Sequence, residues 1–183
     1  DKNARQTGAK KYIWFLFKKG SRFIADTTNL KLFKSQSYDF VISRGVFGHI
    51  ANPLKAVEEW NRVIKNQGFL VIAASDKKYS FEHKRPFTTF EHVLDDYKKD
   101  VTEHDLTHYD ENLKLNDSID PNYPKITKES WLKLLSNNFE KRSITQHVFN
   151  KDVLIRMVEF FNFKLIKCIH ISKCVVLLAK KND

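Results

Sequence analysis

Residues 38–75 read YDFVISRGVFGHIANPLKAVEEWNRVIKNQGFLVIAAS, and the succession of patterns in this stretch decides the fold. Phe40, Val41 and Ile42 form a short apolar, β-branched run, as a buried parallel strand requires. Residues 43–52 follow as a loop holding Gly45, Gly48 and His49. Pro53 suits the first turn of a helix, and Leu54, Val57, Trp60, Val63 and Ile64 recur at helical spacing. Asn66, Gln67 and Gly68 are expected to end that helix, and residues 69–74 to form a second buried strand. Parallel strands joined by a crossover helix make a βαβ unit. Ligands of such sheets bind in the loops at the strands' carboxyl ends, so residues 43–52 are the first candidate site.

Outward from this unit the patterns are weaker. Residues 1–10 are polar, residues 12–17 (YIWFLF) favour a strand, and residues 22–25 read as a short strand ending at Asp26. Beyond Ser75, Thr88 and Thr89 are placed to cap a helix through His92, Val93, Leu94 and Tyr97. Residues 100–125, rich in His, Asp and Asn, read as an excursion from the sheet. Trp131, Leu134, Leu135 and Phe139 have helical spacing. Asn150 can cap another helix carrying Val153, Leu154, Met157, Val158 and Phe161. Residues 163–171 and 173–179 close the chain as two β-rich runs around Ser172, an expected antiparallel hairpin.

The 183 residues suffice for one domain with a substantial core. Net charge is +10, with Lys2, Arg5, Lys10, Lys11, Lys18, Lys19 and Arg22 near the amino end. No nucleic-acid motif accompanies this cluster, so a solvated basic surface is the favoured reading and nucleic acid is disfavoured. Phosphorylated or nucleotide-linked small molecules would also be attracted. Cys168 and Cys174 lack metal-ligand spacing, which fits a reduced, cytoplasmic protein. There is no signal-peptide pattern, and no apolar run approaches the ~20 residues that span a bilayer, so no membrane is expected. Residues 12–17 are too short for that purpose and read as core or interface. The histidines His83, His92, His104, His108 and His147 show no recognisable ligand spacing, and no metal is expected.

Four places together resemble class I S-adenosylmethionine-dependent methyltransferases, of the type 11-like bacterial kind, over residues 22–180. Ala25-Asp26-Thr27-Thr28-Asn29-Leu30 resembles the acidic loop after the family's third strand, where an Asp meets the adenine ring. Tyr38-Asp39-Phe40-Val41-Ile42-Ser43 resembles the fourth strand. Val46-Phe47-Gly48-His49-Ile50 with Asn52-Pro53 resembles the loop usually written Val-Leu-Glu-His-Ile. Arg62-Val63-Ile64-Lys65-Asn66-Gln67-Gly68 resembles the Arg-Val-Leu-Lys-Pro-Gly-Gly turn into the fifth strand. Residues 76–96 further resemble bacterial members found with surface-polysaccharide or sugar-modifying genes.

The resemblance implies a Rossmann-like α/β sheet with helices on both faces and an antiparallel C-terminal hairpin, incomplete at the N-terminus. It divides the chain into a basic, aromatic segment at 1–21 and a methyltransferase-like domain at 22–183, with a substrate or lid region inserted at about 76–149. It implies S-adenosylmethionine as cofactor, held by Asp26, Thr27, Ser43, Val46 and His49. The acceptor, small or sugar-linked, is expected at Asp76, Tyr79, His83 and Arg85, with His49, His83 and His147 as candidate catalytic residues. Histidine can take a hydroxyl proton near neutral pH, and Arg can clamp phosphate or carboxylate.

Two departures stand against this. No Gly-x-Gly occurs, although the family cradles the methionine part of its cofactor on a Gly-rich loop, and Gly48 replaces the usual Glu. In the family's strand order, 3-2-1-4-5-7-6, the absent first two strands would leave the strand at 38–43 with an unpaired edge. The favoured explanation is a fragment of a longer protein; the others are substitution by residues 12–17, or a homodimer or partner chain at the edge. The rival function is a non-catalytic methyltransferase-like subunit acting through protein contacts.

Overall fold

A computed structural model describes residues 10–14, 18–115 and 127–183. Two sheets are present among them: a hairpin of β1 (Lys10–Trp14) and β2 (Lys18–Arg22), and a four-stranded sheet. The larger sheet comprises β3 (Tyr38–Arg44), β4 (Ile64–Ser75), β5 (Phe163–Ile171) and β6 (Cys174–Lys181), in the order β3-β4-β6-β5. β3 and β4 run parallel and α1 (Pro53–Val63) connects them, so the βαβ unit forms as read. β6 adds antiparallel to β4, and β5 to β6. Ser172 sits in the hairpin turn at φ +54°.

The helices begin where their caps require. The side-chain oxygens of Asn52, Thr89 and Asn150 accept from the backbone N–H of Lys55, His92 and Val153, starting α1, α2 (Phe90–Lys98) and α6 (Lys151–Phe160). The excursion contains α3 (Tyr109–Leu115), which the polar composition concealed. The helical spacing of residues 131–139 resolves into α4 (Lys128–Ser136) and the short α5 (Asn138–Lys141).

One core joins the layers. Leu54, Val57 and Trp60 of α1 and Leu154, Met157 and Val158 of α6 pack with Leu70, Ile72, Val175 and Leu177 of the sheet. Strand alternation sends Phe40, Ile42 and Phe69 the other way, where they stay exposed. β3 pairs with β4 alone, so its second edge is bare among the described residues, as the sequence implies.

Two boundaries differ from the expectation. Residues 23–26 are irregular rather than strand, because the neighbouring strand stops at Arg22 and no ladder partner reaches them. Phe23 instead packs edge-on against Phe33 at 5.1 Å. α1 ends at Val63, not at Asn66, and β4 begins at once with Ile64. The pairing jumps from Tyr38–Ile64 to Phe40–Phe69, so the intervening residues bulge out, with Gln67 at φ +63°. Gly68 is pressed into that bulge: a Cβ there would lie 2.7 Å from the Asp39 carbonyl oxygen and 2.9 Å from that of Lys65.

Candidate active site

The parallel pair β3 and β4 delivers two loops to its carboxyl end, and a third segment closes over them. Residues 144–149 carry no regular structure yet are buried throughout. A buried irregular strap must have its polar backbone groups captured, and its neighbours do this. The Gly48 carbonyl accepts from the N–H groups of Gln146 (2.8 Å) and His147 (3.0 Å). Asn112 grips Thr145 from both ends of its amide, and Arg85 Nη1 donates to the Thr145 carbonyl at 2.6 Å. The side chain at position 48 must be absent for this docking, since a Cβ there would stand 2.9 Å from the His147 carbonyl oxygen.

Between strap and strand ends lies a cavity of about 40 Å³ bordered by Gly45, His49, Ala74, Ser75, Glu82 and His147. The structure thus brings His49 and His147 to one place. His49 Nδ1 donates to the Ile144 carbonyl at 3.1 Å, a tautomer that leaves Nε2 with its lone pair. His147 is fully buried and its Nε2 meets the Ala51 carbonyl at 3.2 Å. Burial pushes its pKa down to about 3, outweighing that hydrogen bond, so its imidazole is neutral. His83 does not border this cavity; its Nδ1 faces the Ser80 carbonyl at 3.3 Å.

Asp26 and Thr27 lie in the loop before β3. Asp26 Oδ1 accepts from the Thr28 N–H and hydroxyl at 2.9 and 2.8 Å, and Oδ2 from Arg142 at 2.9 Å. Partial burial opposes ionisation, but the Thr28 hydrogen bonds and the Arg142 cation prevail and hold the carboxyl below its ordinary range. Thr27 Oγ1 accepts from Trp60 Nε1 at 2.8 Å, tying the loop to α1. Ser43, near the end of β3, is buried and its hydroxyl has no hydrogen-bond partner among the described residues. Val46 is exposed.

The expected acceptor residues separate. Asp76 Oδ1 caps the turn at Lys77–Tyr79, while Oδ2 faces His170 Nδ1 at 2.8 Å. With Phe87, Phe149, Asn150 and Lys151 these two border a larger cavity of about 320 Å³. Tyr79 is exposed beside Lys78. Arg85 is buried: beyond the strap carbonyls, its Nη2 donates to Glu111 at 2.7 Å. Its cation therefore faces an internal carboxylate.

Sequence reasoning missed two groupings. Arg142 bridges Asp26 and Glu103, the latter at 2.7 Å, linking the amino-terminal loop to the strap's start. His92, His108 and His147 converge, with one nitrogen of each within 4.8 Å of the others. No spacing in the sequence announced either, because α2, α3 and the strap meet only in space.

Residues 3–72 match the family model of a methyltransferase domain, a stretch running from ahead of the resembling residues 22–180 into β4. No curated protein matches the sequence. Among solved structures, the chain is similar to a SAM-dependent methyltransferase from Thermotoga maritima at 15% identity and a TM-score of 0.46, over 86% of this chain and 62% of that one. A SAM-dependent methyltransferase from Methanosarcina mazei matches at 15% identity and a TM-score of 0.45, over 86% and 65%. The chain therefore spans less than two thirds of either structure. Over residues 3–72 the chain is thus similar to a methyltransferase domain, and the four-stranded sheet continues beyond that stretch through β5 and β6.

Proposed function

We propose that the protein transfers a methyl group from S-adenosylmethionine to an oxygen or nitrogen of a small or sugar-linked acceptor, phosphorylated acceptors included. The family match over residues 3–72 carries this reading, since it ends in the strand whose carboxyl end borders the His49 cavity. The described residues fit one wall of a cofactor site. Ser43, on the strand whose edge is bare among the described residues, offers a buried hydroxyl with no partner among them. A cavity of about 40 Å³ falls well short of the roughly 300 Å³ or more that small-molecule sites occupy, so this reading takes the residues around it as one wall only. Asp26, Thr27, Ser43, Val46 and His49 would hold the near side of the cofactor, which when bound supplies an electrophilic methyl group.

The chain's own contribution is orientation and, for a hydroxyl acceptor, removal of a proton. His49 suits the second task, because donation from Nδ1 to the Ile144 carbonyl makes Nε2 the accepting nitrogen of the neutral ring. His147 suits positioning instead, since burial makes its protonation costly. A sugar-linked acceptor would sit in the larger cavity, which Phe87 and Phe149 border together with the polar residues Asp76, Asn150 and His170. A cytoplasmic role in bacterial polysaccharide biosynthesis is the setting we propose for it. Transfer of labelled methyl to a panel of sugar nucleotides and small hydroxyl or amine compounds tests the reading. His49→Ala is expected to lower transfer to a hydroxyl acceptor by about 10²–10⁴-fold. Folded protein that neither binds the cofactor nor labels any acceptor would overturn it.

A second reading rests on the bare edge of β3 and the exposed Phe40 and Ile42. It makes the chain a non-catalytic methyltransferase-like subunit, paired at that edge with a second copy or another chain. Cofactor binding by a strict monomer would count against it.

A further inference from the structure

His92 lies on α2, His108 just before α3, and His147 on the strap. His92 Nε2 and His108 Nε2 stand 3.1 Å apart. Two nitrogens bound at ~2.05 Å to one tetrahedral zinc ion would be about 3.3 Å apart, so this pair already has ligand spacing. A nitrogen of His147 lies within 4.8 Å of both.

The outer contacts favour metal-ready tautomers. His108 Nδ1 faces Glu111 Oε2 at 3.2 Å, which directs its lone pair to Nε2 and makes a carboxylate–histidine arrangement. His147 Nε2 faces the Ala51 carbonyl, and its Nδ1 is buried without any hydrogen-bond partner among the described residues. Asp96 Oδ2 is 3.4 Å from His92 Nε2 and 3.7 Å from His147 Nε2. The formal charges in contact are Asp96 and Glu111 against Arg85, whose Nη2 lies 3.5 Å from His108 Nδ1. One net formal negative charge faces the three imidazoles, a setting that a dication complements. His92 keeps its side chain 37% exposed, which leaves an entry path.

We propose that His92, His108 and His147 bind one divalent cation of the zinc type, with Asp96 and Glu111 as flanking carboxylates. The cation joins α2, the start of α3 and the strap, and through His147 it adjoins the cavity at the strand ends. This site does not depend on the methyltransferase reading, and its test needs neither cofactor nor acceptor. Chelator-stripped full-length protein is titrated with Zn²⁺ by calorimetry and with Co²⁺ by visible absorption. One equivalent of Zn²⁺ is expected, with Co²⁺ bands of a tetrahedral site. Glu111→Gln should weaken binding about 10–100-fold. The bands should vanish in the His92→Ala/His108→Ala double variant and persist in His104→Ala, a control on an exposed histidine. Zn²⁺ should also raise the melting temperature of the wild type and not of His92→Ala, which guards against a misfolded double variant. Equal Zn²⁺ uptake by wild type and double variant, or no uptake at tenfold excess metal, would overturn the proposal.

Discussion

Asp26 shows how a candidate ligand residue can also be a local fastener. Both oxygens are engaged, one with Thr28 and one with Arg142, which lies 116 residues away in sequence. The turn contact was legible, because an Asp two residues before a hydroxyl residue commonly closes such a turn. The Arg142 contact was not, since nothing local marks it. The carboxyl's depressed pKa means that its stabilisation is fully present above the ordinary value of 3.8 and fades as pH falls through the folded value. Asp26→Asn should therefore destabilise by about 1 kcal/mol at pH 7, after discounting for partial exposure. The gap to wild type should narrow as pH falls below the ordinary carboxyl value of 3.8, measured by urea unfolding at pH 7 and across the acid range. A gap independent of pH would show that charge plays no part. Gly48 gives a parallel lesson. In the sequence it reads as a departure from the family's Glu; in the fold it is the residue on which the strap docks.

At the scale of elements, what the sequence disclosed was short-range. The caps Asn52, Thr89 and Asn150 act three residues ahead, and each helix begins where its cap stands. The hairpin turn at Ser172 was equally local. The end of α1 was misread because Asn66-Gln67-Gly68 looks like a helix stop, whereas here it is a bulge between pairing registers of β3 and β4. The bulge depends on the close approach of Gly68 to Ile64, Asp39 and Lys65. Gly68→Ala should cost about 2 kcal/mol, the usual scale for forcing atoms into a filled space, and denaturant unfolding would read it. A neutral effect would mean that the bulge relaxes at little expense. The strap was not legible at all, as its burial depends on Arg85, Gly48 and Asn112 of α3, which sit on other segments.

For the molecule as a whole, the sheet order explains what is exposed. The sequence resemblance implied an unpaired edge on the strand at 38–43, and among the described residues β3 has that edge, with Phe40 and Ile42 exposed on the same strand. A flat apolar edge of this kind favours pairing with another chain. Light scattering should show association that grows with concentration and falls in Ile42→Lys; a wild type that is monomeric throughout would contradict the edge's role. No helix among the described residues is long and apolar enough to cross a membrane. The central claim is that β3, β4 and their loops form one wall of an S-adenosylmethionine site. Calorimetric titration of the intact protein with S-adenosylhomocysteine, the demethylated cofactor, tests this most directly. Saturable binding of one equivalent, weakened in a Ser43→Val variant, is the predicted result. No heat at millimolar ligand, from protein shown to be folded by circular dichroism, would contradict it.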